Sequence, residues 1–120
     1  MKKIIIYSYS KCSTCKKAIN WLNENGNKFD VVDIVNTPPS KELIMKALQC
    51  FPEDKKKVFN TRGKSYRELN FKDLNKLSDE ELVELLSKDG KLIKRPFLIF
   101  NFNKFLIGFN EEEYQLNLNQ

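Results

Sequence analysis

One stretch restricts the fold more than any other: Ile4-Ile5-Ile6-Tyr7-Ser8-Tyr9-Ser10-Lys11-Cys12-Ser13-Thr14-Cys15-Lys16-Lys17. A β-branched apolar run breaks into a short polar loop and delivers two cysteines three positions apart. The residues that follow read as a helix, because Cys15, Ala18, Ile19 and Leu22 recur at i, i+3, i+4, i+7. Asn25-Gly26 supplies its C-terminal stop. A strand, a loop, a CxxC and a helix in that order point to thiol redox chemistry.

The spacing gives the two thiols different work. Cys12 falls at or just before the first helical turn, where unpaired N–H groups and the helix dipole favour an anion. Lys11, Lys16 and Lys17 add positive charge nearby. Both effects lower a thiol pKa, and the thiolate is the nucleophile. Cys15 is one turn on, in line with the apolar face, and is expected to be buried. It is close enough to attack a sulfur adduct on Cys12 and close a disulfide. Cys12 is therefore expected to attack and Cys15 to resolve. A zinc site would need a second ligand pair, but the chain has no His and only one further cysteine, Cys50. No metal and no cofactor are expected.

The length, 120 residues, suits one domain with a core of its own, and a single domain over residues 1–120 is expected. No apolar run is long enough to span a membrane. The N-terminal apolar run is too short for a signal peptide and lacks a small-residue cleavage site. A cytoplasmic location is expected, where thiols stay reduced by default. The net charge of +5 is spread over scattered lysines, with one tight cluster at Lys55-Lys56-Lys57, and does not form the basic stripe of a nucleic-acid surface. Neither direct nucleic-acid binding nor membrane binding is expected. Of the 21 basic residues only Arg62, Arg67 and Arg95 are arginine, a residue suited to a rigid fork of donors.

In chain order, Lys3–Tyr7 reads as a strand, Thr14–Asn25 as a helix and Phe29–Val35 as a second strand, giving a parallel βαβ unit. Ser40 is an N-cap for a helix with Leu43, Ile44, Ala47 and Leu48 on one face. Cys50 ends that helix beside Leu48 and Phe51 and is expected to be a packed small hydrophobe. After a charged turn over Pro52–Lys57, Gly63 allows a sharp turn, and Ser65–Asn75 reads as short helical pieces with Tyr66, Leu69, Phe71 and Leu74. Arg67 falls on a charged segment and is expected to be solvated. Ser78-Asp79-Glu80-Glu81 is a capping box opening a helix that buries Leu82, Leu85 and Leu86 and stops at Gly90. Leu92–Phe100 and Phe105–Phe109, joined by a short polar turn, form an antiparallel hairpin. Asn110 caps a last helix with Tyr114, Leu116 and Leu118. The order is βαβα, a helical middle, then ββα. The fold class is α/β: a thioredoxin-like (glutaredoxin-type) mixed sheet flanked by helices, with a helical insertion between the two halves.

Nearly end to end, the chain resembles the arsenate reductase/Spx family of thioredoxin-fold proteins. The resemblance is carried by the Tyr7–Cys15 loop, Asp33–Leu43 with Thr37-Pro38-Pro39-Ser40, Phe59-Asn60-Thr61-Arg62-Gly63, Tyr66-Arg67-Glu68-Leu69, Lys94-Arg95-Pro96 and Gly108-Phe109. It implies a cis Arg95–Pro96 bond facing the cysteine loop. It also implies one of two functions. The enzymes reduce arsenate through an attacking cysteine, with glutathione and glutaredoxin as electron source and three arginines around the anion. Cys12 and Arg95 match two of those four positions; Asn60 holds the third, with Arg62 two residues later, and the fourth falls in Ile107-Gly108-Phe109. The Spx regulators instead bind the C-terminal domain of the RNA polymerase α subunit and respond to oxidation of their CxxC. Their glycine at the polymerase contact falls near Asp54, where this chain has no Gly.

The expected site is thus Cys12, Cys15 and Arg95 for the chemistry, with Ser13, Thr14, Arg62 and Pro96 binding the anion or substrate. Ser13 and Thr14 would do so through N–H groups and hydroxyls at the helix start. The expected partners are thioredoxin, glutaredoxin or glutathione as reductant, with the RNA polymerase α C-terminal domain as the alternative. The chain is expected to act as a monomer.

Overall fold

The computed structural model describes residues 3–69 and 74–119. Two compact units emerge, Met1–Asp33 with Arg95–Gln120, and Ile34–Lys94.

The first unit carries the sheet. Strand β1, Ile4–Ser8, alternates so that Ile4, Ile6 and Ser8 are buried. Helix α1, Ser13–Glu24, follows and leads to β2, Asp30–Asp33, which runs parallel to β1 with Ile5 opposite Asp30 and Ser8 opposite Asp33. Strand β3, Phe97–Phe100, is antiparallel to β1, and β4, Lys104–Ile107, is antiparallel to β3. The order is β2-β1-β3-β4, the mixed sheet of the expected thioredoxin-like arrangement. Helix α5, Glu111–Leu118, closes the unit; the Asn110 side chain accepts from the Glu113 N–H at 3.0 Å as its cap.

The core of this unit joins Ile4, Ile6, Leu98, Phe100 and Leu106 of the sheet to Ala18, Trp21 and Leu22 of α1 and Tyr114 and Leu118 of α5. Burying side chains of this size contributes roughly 1.5–3 kcal/mol each. Tyr114 meets Trp21 and Phe109 edge-on, with ring centroids 5.5 and 4.8 Å apart. The apolar face of α1 holds Cys15, Ala18 and Leu22 as expected, with Ile19 half-buried against the core and Trp21, three on from Ala18, joining the buried side. Leu116 is 69% exposed: Tyr114 and Leu118 are four apart on the inner face, and Leu116 falls between them on the outer one.

The second unit is helical. Helix α2, Lys41–Gln49, is capped by Ser40, whose hydroxyl accepts from the Leu43 N–H at 3.2 Å. Helix α3 is Lys64–Leu69, and α4, Asp79–Lys88, opens with the expected capping box. Short 3-10 turns occupy Lys55–Val58, Leu74–Lys76 and Gly90–Leu92. Ile44, Ala47 and Leu48 of α2 and Leu82, Val83 and Leu86 of α4 are buried, and the two helices pack together. Leu85, expected inside, is half-buried. Phe71 lies outside the described residues.

Leu92 and Ile93 do not extend the hairpin as expected. Pro96 has no N–H to continue a ladder. Ile93 pairs instead with Phe59, flanked by Asn60 N–H to Leu92 O at 2.8 Å and Lys94 N–H to Val58 O at 2.9 Å. Cys50 is also corrected: it caps the C-terminus of α2 and is exposed. The next position on the stripe of Ala47 and Leu48 is Phe51, which is half-buried, so Cys50 turns outward.

Gly90 is required by close packing. A Cβ there would lie 1.9 Å from the Ile34 carbonyl oxygen and 2.7 Å from its carbon. Backbone cannot yield as a flexible side chain would, so Gly90→Ala is expected to destabilise the protein by about 3 kcal/mol or more. Urea denaturation measures it; an unchanged midpoint would contradict the packing.

Candidate redox site

The site begins at the loop between β1 and α1. Cys12 is the N-cap of α1, with φ −99° and ψ 114°. Its N–H donates to the Tyr9 carbonyl at 3.0 Å, which tightens the loop, and its carbonyl accepts from the Lys16 N–H at 3.2 Å. Its sulfur takes the place of a capping hydroxyl and accepts from the Cys15 N–H at 3.4 Å. A sulfur in that role is favoured as an anion, because the donor and the helix dipole both point at it.

Arg95 completes this environment. The Arg95–Pro96 bond is cis, as expected. Pro96 is buried, and its carbonyl accepts from the Gly108 N–H at 2.9 Å. Gly108 has φ +80°, a backbone region that glycine enters freely, so the turn after β4 locks onto the proline bend. The Arg95 guanidinium stacks over the Tyr9 ring, 5.1 Å from its centroid. It also hydrogen-bonds to the Cys12 sulfur and attracts its charge.

The two thiols are driven apart. Partial burial works against ionisation of Cys12, but the Cys15 thiol, the Cys15 N–H and Arg95 outweigh it, so the Cys12 pKa falls below that of an ordinary thiol. Cys15 is completely buried, and burial pushes its thiol up to about 11, against hydrogen bonds from the Tyr9 backbone and the Ser8 hydroxyl. Cys15 thus stays protonated and donates its S–H to Cys12. The inequality follows from position: one thiol ends the loop beside a cation and the other faces the core.

Ser13 and Thr14 are exposed in the first turn of α1, where N–H groups lack an intrahelical acceptor. Arg62 is exposed in the second unit, in the turn before α3, where its carbonyl accepts from Arg67 Nη1 at 3.3 Å. Asn60, at the position where the resembled enzymes carry an arginine, holds its own loop: its amide donates to the Lys91 carbonyl at 3.3 Å. Among the described residues no group of three His, Cys, Asp or Glu is placed to hold a metal, and no helix is long and apolar enough to cross a membrane. Ser8, not among the expected site residues, lies buried at the end of β1 and its hydroxyl favours the Cys15 thiolate. Ser8 was findable, as a polar residue at an inward position of an apolar strand.

Several known proteins are similar to this chain. YusI, an uncharacterised protein of Bacillus subtilis (strain 168), is 44% identical over 115 residues, covering 95% of this chain and 97% of YusI. The global transcriptional regulator Spx of Streptococcus mutans is 32% identical over 110 residues, covering 92% of this chain and 79% of the regulator. The crystal structure of a protein described as a possible arsenate reductase, from Streptococcus mutans UA159, has a TM-score of 0.85 and 39% identity, covering 96% of this chain and 99% of that one. The sequence model of the ArsC family matches residues 7–117, from the strand before the cysteine loop through most of α5, and this chain belongs to that family.

Proposed function

We propose that this protein is a cytoplasmic thiol/disulfide redox protein, a single-domain monomer, in which Cys12 attacks as a thiolate and Cys15 resolves the adduct. The reading is supported by the opposed ionisation of two thiols within one helical turn, with Arg95 on the more acidic one. A low-pKa, partly exposed sulfur attacks well, and a buried protonated one waits beside it.

With arsenate as the oxyanion, the Cys12 sulfur bonds to arsenic and a hydroxyl leaves as water. Cys15 then loses its proton and attacks the Cys12 sulfur; an S–S bond forms, and the electron pair of the sulfur–arsenic bond stays with arsenic. Arsenite leaves, reduced by two electrons, and the two cysteines are oxidised by two. Thioredoxin, glutaredoxin or glutathione returns the electrons. Arg95 and the N–H groups of Ser13 and Thr14 carry the anion's charge. Arg62 and Pro96 enter as anion- or substrate-binding residues through the family resemblance.

Oxidation of the purified protein with a small excess of peroxide tests the pair. Peptide mapping is expected to show a Cys12–Cys15 bridge with Cys50 free, re-reduced by thioredoxin. A bridge to Cys50, or none at all, would refute the assignment.

The identity to Spx over most of this chain favours a second reading, a redox-sensing regulator that binds the RNA polymerase α subunit. Capture of the α C-terminal domain by this protein, changed by oxidation of the CxxC, distinguishes it from an enzyme that needs no such partner.

A further inference from the structure

Arg95 can serve Cys12 only if its guanidinium is held at the cysteine loop, and a long side chain gives up rotamer freedom to stay there. The strand register decides what meets it. Strands β1 and β3 are antiparallel, from Ile4 opposite Phe100 to Tyr7 opposite Phe97. Two residues past the Tyr7–Phe97 pair, the same register sets Tyr9 against Arg95. Pro96 has no N–H to carry the ladder further, so side chains take over there. The guanidinium carbon lies over the Tyr9 ring, 5.1 Å from its centroid.

Tyr9 also reaches the nucleophile, through its main chain. Its carbonyl accepts from the Cys12 N–H at 3.0 Å, which fixes the turn that ends at the N-cap of α1. One residue therefore anchors the cation with its ring and the cysteine with its backbone. Tyr9 is half-buried in a polar loop, between Ser8 and Ser10, so apolar patterning does not account for a ring at that position. Its chemistry does. An aromatic face attracts a cation without accepting its N–H bonds, and so leaves the donor fork and the full charge in use. A carboxylate in the same place would occupy the fork and offset the charge.

We propose that Tyr9 is a positioning residue of the redox site, whose ring holds the Arg95 guanidinium by its face and leaves the N–H fork to the Cys12 sulfur and an incoming oxyanion. The inference rests on Arg95 serving Cys12, as in the function proposed above.

Tyr9→Leu and Tyr9→Phe separate the aromatic face from mere bulk. Peptide-resolved alkylation of Cys12 across pH is followed in both, alone and combined with Arg95→Ala. Tyr9→Leu is expected to move the Cys12 midpoint to higher pH and to slow alkylation below the midpoint by roughly two- to fivefold. Tyr9→Phe keeps the face and should keep the native midpoint. In the Arg95→Ala background Tyr9→Leu should change nothing further, because the ring acts through the guanidinium. NMR of the Arg95 side chain gives a readout that needs no thiol. Its resonances should carry a ring-current shift in the unsubstituted protein and in Tyr9→Phe, and lose it in Tyr9→Leu. A Cys12 midpoint unmoved by Tyr9→Leu, or moved equally with and without Arg95, would overturn the proposal, as would the absence of a ring-current shift in the unsubstituted protein. If no Cys12–Cys15 disulfide forms, the redox reading fails, while the midpoints and the ring-current shift still decide whether Tyr9 holds Arg95.

Discussion

Replacing Cys12 with serine is expected to bring arsenate-dependent oxidation of glutathione or thioredoxin down to background, a loss of at least about a thousandfold. The serine hydroxyl can still cap α1, so the fold should survive. It cannot be ionised by the means that ionise Cys12: one backbone N–H, one thiol and one guanidinium bring a thiol below its ordinary pKa but leave an alcohol protonated. Cys15 cannot substitute, being buried and held near 11. Cys15→Ser should fail differently, forming the first adduct on Cys12 and stopping there unless an external thiol removes it. A coupled assay on the purified variants measures both. Turnover retained by Cys12→Ser would move the nucleophile elsewhere.

The second large effect is that of Arg95→Ala. Its guanidinium bonds to the Cys12 sulfur and stacks on Tyr9, so its loss removes both a donor and a charge. Cys12 then ionises at higher pH. The sign is definite: a lowered pKa makes the thiolate available above that pKa, so the variant's rate profile shifts toward alkaline pH and the deficit is greatest near neutrality. At pH values where both proteins are ionised, only the loss of the anion contact remains. Removing one oxyanion donor costs about a hundredfold in turnover. Arg95→Lys should recover part of the pH shift and less of the rate, because an ammonium supplies charge without the planar fork. A rate–pH profile unchanged in Arg95→Ala would separate Arg95 from the chemistry.

Much of this was legible before any coordinates. The CxxC at a helix start, Ser40, Ser78 and Asn110 as caps, and the βαβ and hairpin halves rest on local chemistry, and local chemistry is read directly. The errors share a cause. Cys50 and Leu85 are apolar residues near apolar neighbours, but burial is decided by which angular stripe packs inward. The break before Pro96 was written in the proline; what the sequence hid was that Phe59, more than thirty positions away, would take over the pairing of Ile93. The site shows the same division. Cys12 and Cys15 follow from spacing, and Arg95 was reached through the family resemblance and its rarity.

The central claim is that one helical turn holds two unequal thiols. Peptide-resolved alkylation of the unsubstituted protein across pH tests it most directly. Cys12 is predicted to react with a midpoint below that of an ordinary thiol, while Cys15 stays unreactive until the pH approaches about 11. Two equal midpoints at ordinary thiol values would contradict the account.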